Sequence, residues 1–171
     1  MILADQRYDD RMLFENAYDL LSGVWLGDYD AYTLAKGIGY PMFLVLAKKL
    51  CLPYSMLLAL LQAMGSWLFV RALSVRWKNP YGQTLLYLLL LFSPISLTQL
   101  VTQRLYRMAI VPGMVLVVFS GMIGLTLRKE LPLNKQLPWA VLTGVALAFF
   151  WQIREDSVWI LPFTAVMTVW N

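Results

Sequence analysis

Residues 108–127 read MAIVPGMVLVVFSGMIGLTL, twenty consecutive positions without a charged side chain. At about 1.5 Å of rise per helical residue, such a stretch covers the roughly 30 Å hydrocarbon core of a bilayer. Working outward, three more segments meet or approach that length. Residues 54–70 belong to a longer apolar run that starts at Leu50, residues 84–101 contain LLYLLLLFSPISL, and residues 137–153 read LPWAVLTGVALAFFWQI. A fifth segment, residues 157–171, is apolar but short, has no polar flank at its end, and reads as a truncated span. Composition agrees: 60% of the chain is hydrophobic and 14% is charged, against about a quarter charged in soluble domains. These features predict an all-α fold, a polytopic transmembrane helical bundle.

Composition also excludes chemistry. The chain has no histidine, which removes Ser-His-Asp and Cys-His catalysis and histidine metal ligands. Acid–base work must then come from carboxylates, lysine or tyrosine. The single cysteine, Cys51, cannot form an intrachain disulfide; lying in an apolar run, it is expected to be a buried thiol. The net charge of +4 is small, and no basic stripe lies outside the short loops, so nucleic acid is not an expected partner. There is no Gly-rich phosphate loop, and Gly37-Ile38-Gly39 is too short to be one.

Two segments precede the first full span. In residues 39–52, GYPMFLVLA is too short to cross a bilayer and is interrupted by Lys48 and Lys49, which predicts a re-entrant or interfacial helix that Pro53 ends. Residues 1–38 form a separate unit. There, RMLFENAYDLLSGVWLG places Leu13, Ala17, Leu20, Leu21 and Val24 on one helical face, with Arg11, Glu15, Asn16, Asp19 and Ser22 on the other. That pattern predicts an amphipathic interfacial helix in the first external loop. Arg71, Arg76 and Lys78 follow the first span, and Arg128, Lys129 and Lys135 lie between the third and fourth. The positive-inside rule makes both loops cytoplasmic and the N-terminal segment extracytoplasmic. MILADQRYDD lacks the basic start and apolar core of a signal peptide, so a further span is expected upstream.

Four groups on the extracytoplasmic side can carry chemistry. Asp9 and Asp10 open the surface helix, where they can act as general base, bind a cation, or simply cap the helix. In Gln103-Arg104-Leu105-Tyr106-Arg107, the arginines can grip a lipid phosphate bidentately with Tyr106 beside them, or snorkel toward headgroups. Arg154-Glu155-Asp156 reads either as a solvated turn or as an ion pair that leaves Arg154 for an anion. Trp25, Tyr29, Tyr32 and Tyr40 flank the acidic loop and suit either sugar stacking or an interfacial belt. The two carboxylates supply too few ligands to hold a divalent cation alone, so no metal site or other cofactor is firmly implied.

The order of these groups has a parallel. RYDDRMLFENAYDLLSG, followed by WLGDYDAYTLAKGIGYPMFLVLAKKL, resembles the first external loop of GT-C class membrane glycosyltransferases, nearest the dolichyl-phosphate-mannose–protein mannosyltransferase-like family. Recognisable motif runs from about Tyr8 to Leu46, and Asp10 stands where many relatives have Glu. The resemblance implies Asp9 as catalytic base with Asp10 beside it, and a polyprenyl-phosphate-linked sugar donor. It makes Arg104, Tyr106, Arg107, Arg154 and Glu155 donor-binding candidates and a glycan, lipid or protein the acceptor, in a setting such as the bacterial plasma membrane. Relatives are several times longer, so this stretch alone is expected to be inactive. The competing reading is a non-catalytic membrane protein, a transporter or lipid flippase component, for which ionisable groups at mid-bilayer depth would be expected. Here the spans carry none.

Overall fold

The computed structural model describes residues 9–25, 36–97, 107–154 and 157–169, and among them there are seven α-helices and no strand. In chain order these are α1 (Asp9–Leu21), α2 (Gly39–Lys49), α3 (Tyr54–Leu73), α4 (Pro80–Leu91), α5 (Val111–Thr126), α6 (Leu133–Ile153) and α7 (Leu161–Val169). Single 3-10 turns lead into α5 and α7 and follow α4. Proline marks the starts: Pro53, Pro80, Pro112, Pro132 and Pro162 each stand at or within two residues of a helix N-terminus. There the missing N–H costs nothing and the fixed φ suits the first turn.

Three helices, Tyr54–Leu73, Arg107–Thr126 and Leu133–Ile153, are long and apolar enough to cross a membrane. Their outward faces are greasy as well. Met56, Leu60, Met64 and Trp67 of α3 and Leu137, Val141 and Val145 of α6 are exposed, and α4 buries nothing while exposing Leu85, Leu88 and Leu89. Water would penalise so continuous an apolar surface, whereas lipid would not.

The packing of α3, α5 and α6 depends on missing side chains. A Cβ on Gly65 would sit 2.9 Å from the Gly113 carbonyl oxygen, and one on Gly113 would sit 2.8 Å from Leu61 Cγ, so α3 and α5 cross backbone to backbone. On the far face of α5, Gly121 lies under Thr143 and Gly124 lies flat against the Trp139 ring of α6. Without a hydrophobic drive between helices in lipid, such close contact supplies the dispersion energy of association. The central helix is α5, the most buried of the three.

The structure departs from the sequence reading in five places. The span expected over residues 84–101 is a helix only to Leu91; Pro94 lacks an N–H for the Leu90 carbonyl, and residue 93 precedes a proline, which disfavours helix. Residues 98–106 lie outside the described residues. The helix expected to start at residue 137 begins at Leu133, directly after Pro132, and contains Pro138. Cys51 is exposed, with φ 54°: it is the left-handed residue closing α2, where Leu52 N–H bonds Ala47 O at 3.0 Å and Cys51 N–H bonds Lys48 O at 3.1 Å. On α1 the buried face is Leu13, Asn16 and Ala17, while Leu21 and Val24 are exposed. Tyr40 is 1% exposed, with its hydroxyl 3.0 Å from that of Tyr54, so it is a core residue.

The Leu90 carbonyl, left by Pro94 with only a long 3.4 Å backbone bond from Ser93 N–H, has a second partner in α3. Gln62, buried in the middle of that helix, donates its side-chain amide to it at 2.8 Å and so pins the end of α4. Gln62→Leu should cost about 1 kcal/mol, as interhelical hydrogen bonds in bilayers do. Hydrogen exchange should then quicken in α4 and not in α5; equal α4 exchange in wild type and Gln62→Leu would remove the pin.

Candidate functional site

One end of the helix set brings together the first turn of α1, Arg107 and Arg154. Helix α1 begins at Asp9, so Asp9 and Asp10 occupy its first turn, where carboxylates are favoured by the helix dipole. Below them, Arg11 Nε donates to Glu15 Oε1 at 2.9 Å on the outer face. The inner face packs on α2, and Leu13 joins Tyr40, Phe43, Ile110, Phe150 and Ile153 in one apolar cluster. A third stripe, Phe14, Tyr18, Leu21 and Trp25, recurs at helical spacing and is exposed. This gives α1 a wide apolar arc, half of it seated on the core and half left open, with a narrow polar edge.

The start of α2 is held against the end of α6. A Cβ on Gly37 would collide with the Gln152 carbonyl oxygen, and one on Gly39 would meet the Gln152 carbonyl carbon at 2.8 Å. Only glycine permits this approach. It brings Lys36 and the head of α2 to Gln152, Ile153 and Arg154, the half-buried C-cap of α6. Because α5 runs antiparallel to α6 after a short turn, Arg107 at its start lies at this same end, and Ile110 and Ile153 share the cluster beneath. Gly37→Ala should cost about 2–3 kcal/mol in thermal unfolding, since backbone set against backbone cannot yield. Gly144→Ala, with nothing within 4 Å of its Cβ, should be neutral or slightly stabilising. Equal melting of both variants would dismiss the contact.

Beneath this end runs an apolar groove of about 390 Å3 between α2, α3, α5 and α6, lined by Phe43, Leu46, Leu57, Met114, Val145 and Phe149 among others. It lies along the halves of the helices nearest α1. An end rich in cations above an aliphatic groove can hold a molecule with an anionic head and a long hydrocarbon tail.

Of the predicted site residues, the structure brings the first turn of α1, Arg107 and Arg154 to one end. Arg104, Tyr106 and Glu155 lie outside the described residues, as do Tyr29, Tyr32 and the side chains of Asp9 and Asp10. Lys36 was missed as a site residue, although the Lys-Gly-Ile-Gly spacing, two glycines flanking one residue after a cation, signals close backbone contact. Arg128 was read only as a topology marker. The structure buries it instead at the opposite end, where its guanidinium bonds the Gly124, Ala72 and Arg71 carbonyls at 3.1, 3.1 and 2.9 Å and stacks 4.3 Å from the Trp139 ring. Among the described residues, no three His, Cys, Asp or Glu side chains come together as a metal site. No family model, curated protein or solved structure matches the chain.

Proposed function

We propose that the chain is part of a polytopic membrane glycosyltransferase of GT-C type, which moves a sugar from a polyprenyl-phosphate donor to an acceptor hydroxyl on the extracytoplasmic side. One observation carries this reading: α1, opening at Asp9, is docked on α2 at the end where Lys36, Arg107 and Arg154 lie, directly over the apolar groove. The isoprenyl chain lies in the groove and the donor phosphate against Arg107 and Arg154; Arg104, Tyr106 and Glu155, outside the described residues, are further donor-binding candidates. Asp9, with Asp10 beside it, takes the proton of the acceptor hydroxyl. The acceptor oxygen bonds to the anomeric carbon as the bond from that carbon to the phosphate oxygen breaks. Polyprenyl phosphate leaves, its charge met by the arginines. A single displacement inverts the anomeric centre and needs one base.

The test is sugar transfer by the full-length protein, assayed with a labelled polyprenyl-phosphate sugar, as wild type and as Asp9→Asn. Loss of transfer at normal expression supports the enzyme. Undiminished transfer removes Asp9 from the mechanism, and binding of the lipid with no transfer by wild type favours a flippase or transporter component.

A further inference from the structure

The opposite end of the helix set has a site of its own. Arg71 in the last turn of α3, Arg76 and Lys78 after it, Arg128 and Lys129 after α5, and Lys135 in the first turn of α6 stand against a single acid, Glu130. Arg128 spends its charge on the helix ends: its two terminal nitrogens donate to carbonyls of the last turns of α3 and α5. Burial, and then the nearby charge of Arg71, lower its pKa from the ordinary arginine value, so the two cations feel one another. Arg71 differs, because among the described residues no carboxylate or carbonyl meets its exposed guanidinium. It stands instead at the mouth of a notch of about 320 Å3 between α3 and α6, lined by Trp67, Leu68, Arg71, Pro138, Trp139 and Leu142.

We infer that this notch binds an anionic glycerophospholipid of the cytoplasmic leaflet, with the phosphate on Arg71, the headgroup edge between Trp67 and Trp139, and an acyl chain along Leu68 and Leu142. Three features agree on that occupant. An uncompensated guanidinium matches phosphate bidentately. Tryptophan belongs at the level of the headgroups. The excess of basic residues around the notch attracts anionic lipid over neutral lipid. The site lies at the other end of the spans from the proposed transfer chemistry and does not depend on it.

Native mass spectrometry of the detergent-purified full chain, offered phosphatidylglycerol and phosphatidylcholine with identical acyl chains, tests this. Wild type should retain phosphatidylglycerol about fivefold better, as one interfacial arginine contributes. Arg71→Gln should abolish that preference, and Arg76→Gln, which removes the same charge outside the notch, should keep it. Among the described residues Arg71 makes no side-chain hydrogen bond or ion pair, and the wild-type competition stands without any variant. No preference in wild type, or an equal loss in Arg76→Gln, overturns the site. Displacement of the lipid by millimolar inorganic phosphate would assign the notch to a soluble anion and overturn the lipid reading.

Discussion

Arg128→Met is expected to lower the unfolding free energy by about 3 kcal/mol. A helix leaves its last four carbonyls without intrahelical partners. Here, two helices end side by side, and one guanidinium serves both: Gly124 O from α5, and Ala72 O and Arg71 O from α3. A buried acceptor stripped of a charged donor costs about 1–3 kcal/mol. Water reaches part of the rim after the change, so the sum falls well below three full penalties. Methionine keeps the aliphatic stem in place while removing the planar cation that lies over Trp139. Arg128→Lys should recover about half, because an ammonium can reach one or two of the carbonyls but has no fork to span the two helices. Denaturant unfolding of the purified chain in detergent measures both variants. A loss under 0.5 kcal/mol for the methionine variant would mean that the clamp is ornamental.

The Arg128 clamp shows what the sequence hid. Residues 108–127 declare a span through length and lack of charge, and α5 with its leading 3-10 turn, Arg107–Thr126, matches it to within a residue at each end. Residues 54–70 and 137–153 declare spans too, and each helix runs about a turn further at its charged end, through Arg71 in α3 and Lys135 in α6. Yet helix capping depends on what stands beside a terminus, and Arg128 next to Ala72 is a contact across more than fifty residues. The same holds for Cys51: an apolar neighbourhood in sequence says nothing about a left-handed turn, which leaves the thiol outside. The shortening of the fourth helix was legible from Ser93-Pro94, whereas Gln62 as partner for the carbonyl that Pro94 abandons was not. At the proposed site, the amphipathic period located α1, but the contact of Gly37 and Gly39 with Gln152, which joins its partner α2 to the end of α6 beside Arg154, spans more than a hundred residues of sequence.

Asp9→Asn should reduce sugar transfer by the full-length protein by about 10²–10⁴-fold, the range a positioned general base supplies. Asparagine is close to isosteric with aspartate and cannot accept the acceptor hydroxyl's proton. It is also nearly as good as aspartate at a helix start, so it separates the two readings of Asp9. If Asp9 only supports the first turn of α1, the substitution removes a dipole interaction worth less than about 1 kcal/mol, and transfer persists. Asp9→Glu sharpens the comparison: it retains a carboxylate but moves it by a methylene, and positioning errors of that size cost a base about a hundredfold. Asp10→Asn completes the set. If Asp10 only neighbours the base, its loss should be tenfold or less, whereas equal damage from both would point to a shared proton or a bound cation. Adding a chelator distinguishes those two, since only the cation reading loses activity with it. Arg154→Gln should raise the donor concentration needed for half-maximal rate and also slow transfer, because the phosphate's charge grows as it leaves. A rise in donor requirement alone would make Arg154 a docking group with no part in stabilising the leaving phosphate.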